Sequence, residues 1–224
     1  ERSAKEEKIV LREKIRIASE TDGEIRGKFC RETLGEEELS GLTFAGAEFS
    51  ACRFVRCNFS GASFHKSAFS DCVFSGCSFR EGWFRECSFS GCKGEGSDFF
   101  GAVFKDYSLS GGSFSYASFS ESLWENCRAE GVGFRDAGFS EARFKNVSLD
   151  RADFSSADFF RASLKGTDFS RCETGGILLS EGLSELKGTF VSPLQACALV
   201  RLLGIGVRTG TEKEPPPKKT TPFR

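Results

Sequence analysis

Ten cysteines, one histidine and 32 acidic side chains are the groups in this 224-residue chain that could do chemistry. Cysteines in that number suggest a metal centre or a disulfide framework. Eight of them (Cys52, Cys57, Cys72, Cys77, Cys87, Cys92, Cys127 and Cys172) occupy one recurring slot, which makes them compact apolar fillers of an interior. Bridges between stacked cysteines are geometrically allowed, but free thiols in a reducing cytoplasm are the expectation. No zinc site, other metal or cofactor is expected. His65, the single histidine, lies beside Lys66 on an outward position. Without a second histidine or a glycine loop for phosphate, neither a Ser-His-Asp triad nor a nucleotide site can be assembled, so the chain does not read as an enzyme. What remains is surface chemistry: carboxylates, cations and a few outward aromatic residues that another macromolecule can bind.

These groups are positioned by a period of five. From Leu34 to Phe169 every fifth residue is a large apolar one; of the 28 positions 20 are Phe, five Leu and one Trp, and only Gly94 and Ala129 depart. Five matches neither the helical period of 3.6 nor the strand period of 2.0. It requires a solenoid in which each quintet forms one side of a coil. Two residues before each centre the chain is small, as at Ala47, Cys52, Cys57, Ala62 and Ser67, so centre and centre minus two both point inward by extended-chain alternation. Two residues after the centre, ten quintets carry Gly, suited to the positive φ of a tight corner. Four sides close a 20-residue coil. The expected fold is therefore an all-β solenoid, a quadrilateral β-helix of about seven coils and roughly 30 Å height. Gly94 and Ala129 leave gaps in the stacked rings, and Tyr107, too large for its small slot, is expected to fill the space above Ala129.

The quintets GASFHKSAFSDCVFSGCSF and RADFSSADFFRASLKGTDFS resemble the pentapeptide-repeat family over about Leu34 to Cys172. The resemblance implies a right-handed quadrilateral β-helix. Residues 1–30 form a charged capping segment in which Ile9, Val10, Leu11, Ile15 and Ile17 suit either helix or strand. Residues 31–176 form the repeats, 177–208 a C-terminal segment and 209–224 a Pro- and Lys-rich disordered tail. The Lys- and Glu-rich start does not read as a secretory signal, no run is long enough to span a membrane, and the absence of Met reads as trimming.

Near the end, Ser192 is the expected N-cap, Pro193 the first helical residue and Gly204 the stop. The enclosed helix carries Leu194, Cys197, Ala198, Val200, Leu202 and Leu203, apolar on more than one face. It suits either a simple cap or the seam of a two-fold homodimer. The segment SPLQACALVRLLGI looks like the dimerisation helix of Qnr-type pentapeptide-repeat proteins, which protect DNA gyrase and topoisomerase IV. That likeness assigns Leu194, Cys197, Val200, Leu202 and Leu203 to dimerisation.

Residues 31–200 hold 23 acids and 17 bases, net −6, although the whole chain is only −1. Sorted by wall, the face of Phe59, Phe79 and Phe99 carries Glu81, Asp98, Glu121, Glu141 and Asp158 against Arg80 and Arg161. The opposite face carries Glu48, Asp71, Glu130, Asp150 and Asp168 against Arg128, Arg151 and Arg171. The Phe54 wall is balanced. The fourth is basic, with Lys66, Arg85, Lys105, Arg143, Lys145 and Lys165 against Glu86, Asp106 and Glu125. A mixed solvated surface is one reading. The resemblance implies another, a duplex mimic whose carboxylates stand in for phosphates on a topoisomerase. It implies no direct nucleic-acid binding, and protection against quinolone-like drugs. Two departures from the Qnr pattern are the basic wall and the absence of loops interrupting the coils. Outward Trp83, Val103 and Leu123 fall in one slot on successive coils, an apolar stripe covered by the N-terminal segment or open to a partner; Phe100 and Phe160 also face outward. The alternative function is a monomeric interaction scaffold that uses this stripe.

Overall fold

The computed structural model describes residues 11–208; the expected disordered tail and Ile9 and Val10 lie outside the described residues. Within them the chain winds as a four-sided parallel β-solenoid. One 12-stranded sheet covers two adjoining faces, a three-stranded sheet begins a third, and elsewhere the coils join through single parallel bridges. From Thr33 to Leu178 every ladder steps by 20 residues: Phe44 pairs with Phe64, Phe64 with Phe84, Phe84 with Phe104 and Phe104 with Trp124.

Packing follows from that register. Most rings 20 residues apart lie almost parallel, as in Phe59–Phe79 and Phe79–Phe99, both 4.8 Å between centroids with interplanar angles of 4° and 3°, while pairs beside a departure from the repeat tilt, as in Phe69–Phe89 at 35°. This distance equals the ~4.8 Å spacing of hydrogen-bonded strands. Backbone ladder and ring stack therefore share one repeat and neither strains the other. Around each coil the rings meet edge to face, as in Phe74–Phe79 at 5.4 Å and 78°. Both arrangements suit the aromatic quadrupole.

Every corner is left-handed. From Glu36 to Gly166 each residue two beyond a centre has positive φ, whether Gly, such as Gly61 at 67°, or not, such as Glu81 at 57° and Arg56 at 51°. Glycine suits this geometry but the fold does not require it, because the stacked coils on either side impose the turn. The non-glycine corners store backbone strain that the packed core offsets.

The cysteine slot is more than filler. Besides being buried, the Cys77, Cys87, Cys92 and Cys127 thiols donate to the carbonyls of Phe54, Phe64, Phe69 and Phe104, 23 residues earlier, at 3.3–3.5 Å. The Ser97 hydroxyl makes the same bond to Phe74 at 2.9 Å. A small side chain with a weak donor thus ties each coil to the one before it. Gaps in the ring ladders are closed by neighbours. A methyl group on Gly94 would lie 2.6 Å from the Phe114 ring, which leans into the vacant place. Tyr107 is buried among Phe84, Phe89, Phe104 and Trp124, with ring centroids 6.1, 5.4, 5.0 and 6.3 Å from its own.

The ends differ from the sequence reading. Residues 11–30 need no choice between helix and strand, since α1 (Leu11–Thr21) is followed by a strand, Glu24–Cys30, that joins the ladder before the expected boundary at residue 31. Ile25 pairs with Phe44 and Phe29 with Phe49; their spacing of four instead of five is absorbed by a register shift at Gly27, whose φ is 125°. The helix covers the open end through buried Leu11, Ile15 and Ala18. The quintet count gives seven coils, whereas about six turns are regular. On the Phe44 face six strands stack as far as Arg143–Lys145, and Ser163 continues them only by one bridge. Beyond it the 20-residue step fails, with Asp168 bridging Phe190, so the last coil has no regular neighbour on which to complete its ladder.

Phe79→Ala removes a ring stacked on both sides and is expected to lower unfolding free energy by about 3–5 kcal/mol in urea denaturation. Gly94→Ala, which must displace the Phe114 ring, is expected to cost about 1–3 kcal/mol in the same measurement, despite adding only one methyl group.

Candidate interaction surfaces

No group of three or more metal-ligating side chains converges among the described residues. Cysteines five apart, such as Cys87 and Cys92, sit on adjoining walls, each turned to a backbone carbonyl. Burial pushes the Cys87 thiol up to about 11 and Cys127 to about 12, which disfavours the reactive thiolate. Apart from the exposed Cys30 thiol, the described surface offers charges and exposed apolar groups.

The acidic residues follow the predicted walls but differ in availability. Glu81, Glu121 and Glu141 are exposed corner residues on one edge, and Asp71 is an exposed corner on the opposite wall. Asp98 is half-buried; it accepts from the Phe100 backbone N–H and pairs with Arg80 at 2.8 Å. Asp158 likewise accepts from the Phe160 N–H and from the Ser140 hydroxyl. Glu141 has only a long contact to Arg161, 3.9 Å. Glu130 pairs with Arg128 and Arg151, and these arginines hold its carboxyl below its ordinary value. Asp150 sits between Arg151 and Arg171 at 3.2 and 3.0 Å. On the second acidic wall Glu130 and Asp150 are thus neutralised by arginines and Glu48 pairs with Lys28 at 2.9 Å, whereas Asp71 and Asp168 there, and Glu81 and Glu121 on the first wall, form no ion pair among the described residues. Periodicity places these carboxylates on a wall; which cation each one meets depends on rotamers across coils.

The apolar residues also stand in register. Trp83, Val103 and Leu123 are direct neighbours on successive strands, followed by Arg143. Trp83 is 58% exposed, while Val103 and Leu123 are half-buried. α1 packs on the first strand and does not cover this stripe. Phe100 and Phe160 lie on the acidic wall under the guanidinium groups of Arg80 and Arg161, 4.3 and 4.9 Å from the ring centroids.

At the C-terminal end, α2 (Pro193–Leu202) begins as expected. The Ser192 hydroxyl accepts from the Gln195 N–H, and the Gln195 amide oxygen accepts in turn from the Ser192 N–H. Gly204, with φ 74°, follows the cap residue Leu203. Two anchoring contacts escaped the sequence reading. Leu199 is the residue of α2 that is buried, and the Gln195 amide donates to the carbonyls of Phe169 and Cys172 at 2.9 and 2.7 Å. The leucine was legible as an apolar helix position, but nothing in the sequence singled it out from its apolar neighbours. Leu194, Leu202, Leu203 and Ile205 remain exposed, and Cys197 and Val200 are half-buried. The assigned dimerisation residues therefore form an unpartnered face on a helix held firmly to the last coil.

Glu185, unremarked in the sequence, supports that end. It is buried in the 3-10 turn Ser184–Leu186 and accepts the Arg161 N–H at 2.7 Å and the Ser180 hydroxyl at 2.9 Å. Burial pushes its carboxyl up, but bonds from its own N–H, from the Ser180 hydroxyl and from the Arg161 and Ser180 N–H groups outweigh this and hold it below its ordinary value. Because the folded-state value is depressed, its stabilisation is complete above the unfolded carboxylate value and is lost as pH falls through the folded one. Below about pH 4, near the unfolded value of a glutamate, protection of the 177–190 amides from hydrogen exchange is expected to fall. Glu185→Gln, which turns an amide N–H₂ toward donors, should lower that protection even at neutral pH.

Two family models match the chain. One, described as a pentapeptide repeat region, covers residues 62–138; the other, described as pentapeptide repeats (8 copies), covers 38–76 and 137–173. Among solved structures, similarity extends to a trypsin-treated form of QnrB1, a plasmid-mediated fluoroquinolone resistance protein. It is 26% identical, with a TM-score of 0.46, over 81% of this chain and 90% of that chain. HetL, a pentapeptide repeat protein of the cyanobacterium Nostoc involved in heterocyst differentiation regulation, is 16% identical at a TM-score of 0.38, over 83% and 98% of the two chains. A pentapeptide repeat protein of the Arabidopsis thaliana thylakoid lumen is 21% identical at a TM-score of 0.19, over 56% and 67%. No curated protein matches.

Proposed function

The chain belongs to the pentapeptide-repeat family, and from that premise we propose that it is a non-catalytic DNA mimic that binds a type II topoisomerase, DNA gyrase or topoisomerase IV. By occupying the enzyme's DNA-binding surface it protects the enzyme from quinolone-like or other topoisomerase poisons. The observation that carries this reading is the corner edge on which Glu81, Glu121 and Glu141 project at multiples of the 20-residue coil, with Asp98 and Asp158 alongside. Adjacent coils lie ~4.8 Å apart, so Glu81 and Glu121 stand ~10 Å apart on a stiff rod, within reach of a lysine- and arginine-lined groove. Such charges steer association and fix register more than they add affinity.

The exposed face of α2 supports a homodimer in which two rods join end to end through Leu194, Leu202 and Leu203, with Cys197 and Val200 at the margin of the seam. A longer rod presents more of a duplex-like length to the enzyme. No described helix is long and apolar enough to cross a membrane.

Purified protein is expected to inhibit gyrase supercoiling or to rescue it from a quinolone at micromolar concentration. Glu81→Lys combined with Glu121→Lys should weaken that effect by roughly tenfold, as charge reversal at a steering surface does. No effect on either topoisomerase would overturn the reading. Sedimentation of Leu202→Glu is expected to give a monomer where the unmodified chain gives a dimer.

A further inference from the structure

The basic wall is the departure from a wholly acidic rod, and its arrangement has a specific geometry. One column runs Ser63, Trp83, Val103, Leu123, Arg143; two residues further along each strand, a second runs His65, Arg85, Lys105, Glu125, Lys145. An apolar stripe three rungs long therefore lies beside a predominantly cationic stripe and ends at an arginine. Within the wall Glu86 lies 3.7 Å from Lys66 and 3.5 Å from Arg85, and Glu125 lies 3.4 Å from both Lys105 and Lys145. Arg143 and Lys165 meet no carboxylate at ion-pair distance among the described residues, and the wall keeps an excess of positive charge. Trp and Arg side by side, as at Trp83 and Arg85, are the residue types that most often anchor protein interfaces.

We infer that this wall is a docking surface for an acidic amphipathic helix of a partner protein, laid along the rod axis with apolar residues on Trp83, Val103 and Leu123 and carboxylates facing Arg85, Lys105 and Arg143. The repeat distances select a helix. One helical turn advances ~5.4 Å against a rung of ~4.8 Å, so one side chain per turn stays within ~2 Å of step over three turns. An extended strand presents same-side residues every ~6.8 Å and falls out of step after a single rung. From Ser63 to Arg143 the wall spans ~19 Å, enough for a helix of about 13 residues. A nucleic acid, with phosphate on every nucleotide, would meet Glu86, Asp106 and Glu125 among the cations, whereas a helix can place acids opposite the cations alone. Neither described helix of a second copy supplies the occupant: α2 (PLQACALVRL) carries no carboxylate, and the apolar face of α1 is buried on its own coil. The inference does not depend on the topoisomerase reading, which concerns other walls.

The probe is an 18-residue helical peptide with leucine along one face and glutamate flanking it, added to the full chain. Trp83 emission reports binding, since Trp124 is buried and Trp83→Phe removes the exposed fluorophore. Saturable binding at micromolar peptide is expected, weakened at least about tenfold by Arg85→Glu with Lys105→Glu and by added salt. The same peptide with lysine for glutamate should bind the charge-reversed protein instead. These side chains face outward, so thermal melting is expected to be unchanged, and the gyrase effect of these variants should remain. Absence of saturation, equal binding of the lysine peptide to the unmodified chain, or tighter binding of a thymidine oligonucleotide would overturn the inference, the last by making the wall a nucleic-acid surface.

Discussion

Coincidence of two spacings is the constraint on which this molecule rests. Parallel coils joined by backbone hydrogen bonds lie about as far apart as flat aromatic rings in contact, and the Phe columns satisfy both at once. Phe44–Phe64 and Phe49–Phe69, at 4.8 and 4.7 Å with small interplanar angles, illustrate the match on two walls. Within an unbroken column a ring such as Phe79 is held from above and below by its own kind. An interior built this way specifies register, because a slip by one residue would turn every ring toward solvent. It also explains why mostly small residues alternate with Phe: rings meeting edge to face leave little room between coils, and the large Tyr107 sits where its own centre is Leu109 instead of Phe.

The price of the square cross-section is a left-handed residue at each corner. Ten glycines take that conformation without strain, and charged or polar residues such as Glu81, Asp106, Asn126 and Glu141 take it under constraint. The consequence for binding is direct. A corner side chain projects from the most exposed line of the rod and is fixed in direction by its neighbours, so the strained positions are also those that present charge best. Carboxylates on flat walls behave differently. Asp98 and Asp158 turn back to the backbone N–H two residues on, and Asp150 is enclosed by two arginines.

Solenoid ends have no next coil and need single-copy solutions. At one end α1 sits on the Glu24–Cys30 strand with Leu11 and Ile15 turned inward. At the other, Glu185 and Gln195 fasten the irregular 177–208 segment to backbone groups that a further coil would otherwise have satisfied, and Leu199 is buried. The first end is held mainly by apolar burial and the second also by polar contacts to main-chain atoms, since an open sheet end exposes unpaired N–H and C=O groups.

The sequence by itself determined the four-sided coil, its inward rings, its small slots, the placement of each charge on a wall and the capped start of α2 at Ser192. All of these follow from a local rule repeated without insertion, so one quintet carries the information for the rest. Tertiary structure alone decided that the ladder begins at Ile25, where spacing departs from five; that Phe114 fills the place beside Gly94; which arginine answers which carboxylate; and that Leu199, rather than Leu194 or Leu202, is the buried contact of α2. Those outcomes depend on side chains 18 to 26 residues apart meeting in space. No local periodicity encodes such meetings, because they are set by the rotamers and backbone shifts of coils already stacked.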